Sequence, residues 1–502
     1  MDFKITNYSV TSEQLCLEQT AELPIDTDFT VPDYSGEVCK IIRCEVKSFA
    51  SSKQINGNTL TVEGDALLTV IYADNNSNLF SAVQEIPFKK IFETGKNLDG
   101  GFCDVTFDGL VHSCRAVTER RISIKASVKI NAKVTVNEKT EIITDIDSDC
   151  FETFCGEAGI TTPLGSAQKL IIIDEQLTLP QNSPTAKRII RTNSTATITD
   201  CKIIVGKVIV KGNLKVDVLY CTTENQLQKE CFNIPFNQIL DIPEINENCD
   251  CEAKVLICGT NITPRTNNDG ECKTFMLIAK LEVTANARCS STVPVIYDLY
   301  STKFKTEAAL NEVRFTKIIK QVNETFLCKK ALTLPENDSE ILDMWCNISS
   351  VMAKCEDAKI TLLGSLTACT LYKNSEGDIG VFEKVIDFEF PIELDTAAKM
   401  PLCKPEIKII SCTNSGAELL VELGITATVY DSLALSLITD IAVNEAENIT
   451  AKSALVAYYA DKGENVWEIC KSFSAKRDEL MEINKLSDNT LQSPQMLIIP
   501  LM

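Results

Sequence analysis

Histidine occurs once in 502 residues, at His112, and tryptophan only twice. One imidazole cannot furnish a Ser/His/Asp triad or a multi-histidine metal centre, and no Cys-x-x-Cys occurs to suggest a zinc site. His112, two residues before Cys114 on an alternating stretch, reads as a structural histidine. Basic charge is also short. Against 70 Asp and Glu stand 49 Lys and Arg, and the resulting formal net charge of -21 repels phosphate backbones, so nucleic acid is excluded as a partner. No apolar run approaches the roughly 18 residues that read as a transmembrane helix. The opening "MDFKITNYSVTSEQLCLEQT" lacks the charged-then-apolar layout of a secretory signal, so synthesis and first action in the cytosol are expected. Phosphate-loop and dinucleotide fingerprints are missing: "GEAG" at Gly156 to Gly159 is not followed by Lys-Ser. The acidic "DIDSD" (Asp145 to Asp149) lacks the glycine and distal glutamate of a calcium loop and reads as a solvated linker. A protein without enzymatic activity, metal or cofactor is expected.

Cysteine, by contrast, is abundant, with 22 residues. The closest pairs are Cys39/Cys44, Cys150/Cys155 and Cys249/Cys251. In a reducing cytosol these read as free thiols acting as small buried hydrophobes, with cross-linking in a later, oxidising shell as the alternative.

The length exceeds one hydrophobic core, so several domains are expected. Three segments repeat: "TLTVEGDALLTVIYADNNSNLFSAVQEIPFKKIFE" from Thr59, "KVIVKGNLKVDVLYCTTENQLQKECFNIPFNQILD" from Lys207 and "KITLLGSLTACTLYKNSEGDIGVFEKVIDFEFPIEL" from Lys359. In each, a glycine (Gly64, Gly212, Gly364) precedes a tyrosine (Tyr72, Tyr220, Tyr372) by eight residues, and a phenylalanine (Phe88, Phe236, Phe388) follows sixteen later. Alternation of Val208, Val210, Gly212, Leu214, Val216, Val218 and Tyr220 with polar residues predicts a half-buried strand whose glycine marks a bend or bulge. Polar tips follow each tyrosine, so each repeat carries a long hairpin. "AELP" (Ala21 to Pro24) and two copies of "LTLP" (from Leu177 and Leu332) mark the approaches, and further alternating strands follow downstream. The expected architecture is mainly β: three tandem β-sandwich-like domains at 1–160, 161–315 and 316–448, in series as beads with interfaces, then a small α+β (βααβ) domain at 453–502.

The strand-Gly-strand-Tyr unit with its "IPF" element resembles the SPOCS domain of spore coat proteins in clostridia, over roughly residues 10 to 445. The tail "YYADKGENVWEIC" onward resembles a LysM domain, with Gly463 in the first loop and Trp467 and Ile469 as structural residues of the first helix. Asn465 with Glu468 fits a capping box, which places Val466, Ile469, Cys470 and Phe473 on one helical face. "DELMEINKL" supplies a second helix ending near Asn484, and "QMLIIP" the returning strand.

The LysM resemblance implies a shallow sugar groove between two loops, here Gly463, Glu464, Asn465 and Val466 on one side and Asn484, Lys485, Leu486, Ser493 and Pro494 on the other. Both loops depart from the family pattern. Gly463-Glu464-Asn465 stands for the usual Gly-Asp-Thr, and Ser493-Pro494-Gln495 for Pro-Gly-Gln, where proline fixes φ and removes an amide donor. Lys476 also replaces the usual Ser or Thr cap of the second helix.

Together the resemblances imply a spore envelope assembly scaffold, made in the mother cell and localised at the forespore surface. Its tail would dock to a coat morphogenetic protein such as the basal-layer ATPase. Two alternatives stand beside it: a cortex protein whose tail binds peptidoglycan through N-acetylglucosamine, and a shell subunit cross-linked through its cysteines.

Overall fold

A computed structural model describes residues 4–335, 339–356, 358–448 and 455–501. Residues 453, 454 and 502 of the expected tail therefore lie outside the described residues. Eighteen strands form three successive sets of six with one topology. The first set comprises β1 (Lys4–Thr30), β2 (Lys40–Asn56), β3 (Thr59–Ala73), β4 (Leu79–Glu93), β5 (Phe102–Thr118) and β6 (Arg121–Asp147). The second comprises β7 (Phe151–Thr178), β8 (Ala186–Ile204), β9 (Lys207–Thr222), β10 (Leu227–Asp241), β11 (Asp250–Thr266) and β12 (Cys272–Ser301). The third comprises β13 (Phe304–Ala331), β14 (Glu340–Glu356), β15 (Lys359–Lys373), β16 (Ile379–Glu393), β17 (Pro401–Ser415) and β18 (Glu418–Asn448). In each unit strands two, three and four form an antiparallel meander, while the first and fifth strands flank the sixth; in the second unit a single Ala186–Cys272 pairing joins the two sets into one sheet. The two inner faces bury alternate residues against each other, as in a sandwich.

The repeated glycine and phenylalanine are cross-strand partners: Gly64 faces Phe88, Gly212 faces Phe236 and Gly364 faces Phe388. A Cβ on Gly212 would stand 2.3 Å from Phe236 Cζ and 2.5 Å from the Thr197 carbonyl oxygen, so glycine is needed there for close approach. The expected bulge lies not on the glycine's strand but on its neighbour, where the register slips between Ala50 and Ser52, Ile198 and Asp200, and Ile348 and Ser350. Hairpin tips repeat too. Asp74, Thr222 and Asn374 each accept a backbone N–H four residues on, and Ser77, Asn225 and Gly377 take the left-handed conformation.

The expected borders at 160/161 and 315/316 fall inside β7 and β13. Past Thr135, β6 pairs with β1 alone, and the corresponding halves of β7/β12 and β13/β18 do the same, so each unit extends a two-stranded arm. Gly159, in the arm of the second unit, allows a close contact: a Cβ there would stand 2.8 Å from Lys317 Cδ of the next arm. Of the acidic "DIDSD", Asp145, Ile146 and Asp147 end β6 with Ile146 buried, and only Ser148 and Asp149 lie in the link to β7. "AELP" lies within β1; the proline that stands 40 residues before the tyrosine, as Pro180 does before Tyr220, is Pro32.

The units meet through interfaces. β4 lies against β8, β10 against β14 and β16 against β2, which closes a ring of three within one chain. Ile71, Leu219 and Leu371, each one residue before the repeated tyrosine, meet in a shared core with Ile190 and Trp345. Beside it, Asp343 accepts hydrogen bonds from Arg191 and Lys229, while Trp345 donates to Glu45 and stacks under the Arg191 guanidinium. The three arms pack together as well, through Val10, Ile142, Ile160, Val295, Phe315 and Leu437. A ring closed in this way uses up the heterologous faces that would otherwise propagate a filament.

Candidate functional site

The tail forms β19 (Leu455–Ala460), α1 (Val466–Phe473), α2 (Arg477–Ile483) and β20 (Gln495–Pro500), with β19 and β20 antiparallel. Asn465 caps α1 by accepting the Trp467 N–H at 2.9 Å, whereas Lys476 gives α2 no side-chain cap. Val466, Ile469, Cys470, Leu480, Leu497 and Ile499 fill the core, and burial pushes the Cys470 thiol up to about 11.

The sequence reading placed Trp467 in that core. It is only 5% exposed, but its indole also meets the arm of the second unit. The ring packs against Tyr300 at 5.0 Å and Phe154 at 5.5 Å between centroids, and Nε1 donates to Asp298 at 2.8 Å. Lys471 contacts both oxygens of the same carboxylate at 2.7 Å, and the Tyr300 hydroxyl donates to the Ala475 carbonyl at 2.7 Å. Burial raises the Tyr300 phenol well above its usual range. A register shift between Ile296 and Asp298 aims the carboxylate at the tail. No single-sequence signal marked Asp298, Tyr300 or Phe154, because their role depends on a partner 165 or more residues away in the chain.

The two loops proposed as a groove are zipped to each other. Gly463 N–H donates to the Leu491 carbonyl, Leu491 N–H to the Glu464 carbonyl and Val466 N–H to the Asn489 carbonyl. The Glu464 carboxylate is held by the Tyr458 hydroxyl and the Asp461 N–H, and Asn484 exchanges two bonds with the Ile498 backbone. Gly463 and Lys485 are left-handed, Val466 is fully buried, Leu486 packs on the core, and Ser493 and Pro494 are exposed. The outer face of the β19–β20 pair is apolar and open: Tyr459 and Met496, cross-strand partners, are each 67% exposed, and Ile498 stands on the same face. The exposed Ile483 lies close by, joined through the Asn484–Ile498 bonds.

His112, on an exposed part of β5, shares a hydrogen bond with Ser127. Among the described residues no group of three metal-ligating side chains assembles, and no helix is long and apolar enough to cross a membrane.

Comparison with known families adds two matches. The family model described as "SipL, SPOCS domain" matches residues 185–264, and that of the LysM domain matches residues 458–500. The first stretch covers β8 to β10 and nearly all of β11, and leaves out β7 and β12 of the second unit. The chain thus carries a SPOCS domain, whose topology the first and third units repeat, and a LysM domain in its tail. No curated protein and no solved structure is significantly similar to it.

Proposed function

We propose that this chain is a non-enzymatic assembly scaffold of the spore envelope, acting in the mother-cell cytoplasm at the forespore surface. Its LysM tail docks there to a coat morphogenetic protein, with the basal-layer ATPase as the leading candidate. The SPOCS and LysM matches fit a sporulation-related protein, and both are non-catalytic domain families. The carrying observation is the open apolar face of Tyr459, Met496 and Ile498, a surface suited to a protein partner. The groove residues Gly463, Glu464, Asn465, Val466, Asn484, Lys485, Leu486, Ser493 and Pro494 rim this small domain, and much of their polar capacity is spent within it.

The test is affinity purification from sporulating cells with the intact chain, a 453–502 deletion and a Tyr459→Asp/Met496→Asp pair. Loss of one coat protein from both variants, with forespore localisation lost, supports the reading. Normal localisation of the deletion overturns it. The second reading, peptidoglycan binding through N-acetylglucosamine, rests on the LysM match itself. Tail-dependent sedimentation with insoluble peptidoglycan, unaffected by the Asp pair, would favour it.

A further inference from the structure

Each unit has one seam that no backbone ladder closes. The second strand of the meander lies beside the fifth strand of the other sheet, β2 against β5, β8 against β11 and β14 against β17, yet among the described residues these pairs share no ladder. Side chains alone hold the two sheets together there. Across each seam stands a pair of cysteines, one per strand: Cys44 with Cys114, Cys201 with Cys251, and Cys346 with Cys412.

Cys346 and Cys412 have their sulfurs 3.1 Å apart. In the other two pairs both thiols pack against one core cluster and perturb each other's titration. A disulfide needs the sulfurs only about 1 Å closer than in the measured pair. The rungs sit at different heights, opposite Val70 and Ala368 in the first and third units but opposite Val210, further from the hairpin tip, in the second. Copying of one ancestral position does not account for all three.

We propose that these six residues are intrachain disulfide sites, each stapling the open seam of one unit when the folded protein meets a disulfide oxidant. The neighbouring thiol holds Cys114, Cys201 and Cys412 below the usual thiol range, whereas the partner thiol and burial push Cys44, Cys251 and Cys346 up. One cysteine of each pair attacks as its thiolate. It displaces one thiolate from the oxidant to give a mixed disulfide. Its partner then loses a proton, attacks the protein sulfur of that bond and releases the second thiolate. Two electrons pass from the cysteine pair to the oxidant, which leaves as two thiols.

Access fits this chemistry. Cys346 and Cys412 line a cavity of about 520 Å³ between the second and third units, with room for a small disulfide, and Cys44, Cys114, Cys201 and Cys251 are half-buried. Two further cysteine neighbours lie off these seams: Cys249 beside Cys289 at the end of the β11–β12 ladder, and Cys328 near Cys346 in the third core.

The experiment uses the full chain, reduced and then equilibrated with oxidised glutathione, alkylated, digested without reductant and mapped by mass spectrometry. The expected result is monomeric protein with linked Cys44–Cys114, Cys201–Cys251 and Cys346–Cys412 peptides, six of 22 thiols lost to alkylation, and full recovery with dithiothreitol. Glutathione-capped or free thiols at these positions, disulfides only between chains, or Cys249–Cys289 or Cys328–Cys346 links in their place would overturn the assignment. Cys114→Ser, at a half-buried position, should delete the first linked peptide and leave the other two. The wild-type map decides the matter without any variant.

Discussion

Trp467 of the tail and Asp298 of the second unit's arm, 169 residues apart in sequence, meet in a 2.8 Å hydrogen bond that also recruits Lys471. The contact turns a LysM module into a fixed part of the ring. It leaves the apolar face around Tyr459 outward, where a partner can reach it.

Asp298→Ala should loosen that seat without unfolding the ring. The indole N–H loses a charged acceptor, a change of about 1.5–3 kcal/mol at this part-buried site. Faster hydrogen exchange in α1 and α2, with β9 and β12 unchanged, is the expected outcome. Trp467→Ala removes the ring packing as well, a loss of about 3–5 kcal/mol for a buried aromatic, so it should expose both the tail core and the arm tip.

Gly212→Ala should destabilise by about 1–3 kcal/mol or more, because the new methyl meets both the Phe236 ring and a backbone carbonyl. Gly424→Ala is the control. Its Cβ would come no nearer than 3.3 Å, to the movable Cδ1 of Ile410, so its effect should stay within about 1 kcal/mol. Denaturation midpoints compare the two.

Asp343→Ala leaves Arg191 charged and buried with its nearest acceptor gone. The expected cost is about 3–5 kcal/mol, and Arg191→Met combined with Asp343→Leu should cost less than the single change. Because the pair bridges the second and third units, small-angle scattering should report ring opening in the single variant first.

Lys47 donates to Asn193 across the first and second units, and burial, reinforced by Arg191, lowers its pKa from 10.5 to about 8. Below pH 8 the ammonium is charged in both folded and unfolded chains, so its burial opposes folding in full. Between pH 8 and 10.5 the folded chain sheds the proton first, and the penalty fades. Lys47→Met should therefore be more stable than the parent by an amount on the order of 3 kcal/mol or less at pH 7. The gap should close through that window in paired unfolding curves, which cancel the titration of the thiols.

Much of this architecture was written locally. Alternation in "KVIVKGNLKVDVLY" fixes a strand and its buried face, because period two leaves one side for the core. The Gly-to-Tyr and Tyr-to-Phe spacings fix a hairpin register, and Asn465 fixes the start of α1. The arms were not legible, since a position such as Gly159 answers to Lys317 of the neighbouring unit and not to the local chain.

The sequence by itself thus determined three alike β units and a βααβ tail, since each of these rests on contacts within one stretch of chain. Only the tertiary structure decided that the units close into a ring, that Trp467 is held by Asp298, Tyr300 and Phe154, and that six cysteines face one another across three seams. Each of those depends on which distant residues share a surface, and periodicity carries no record of that.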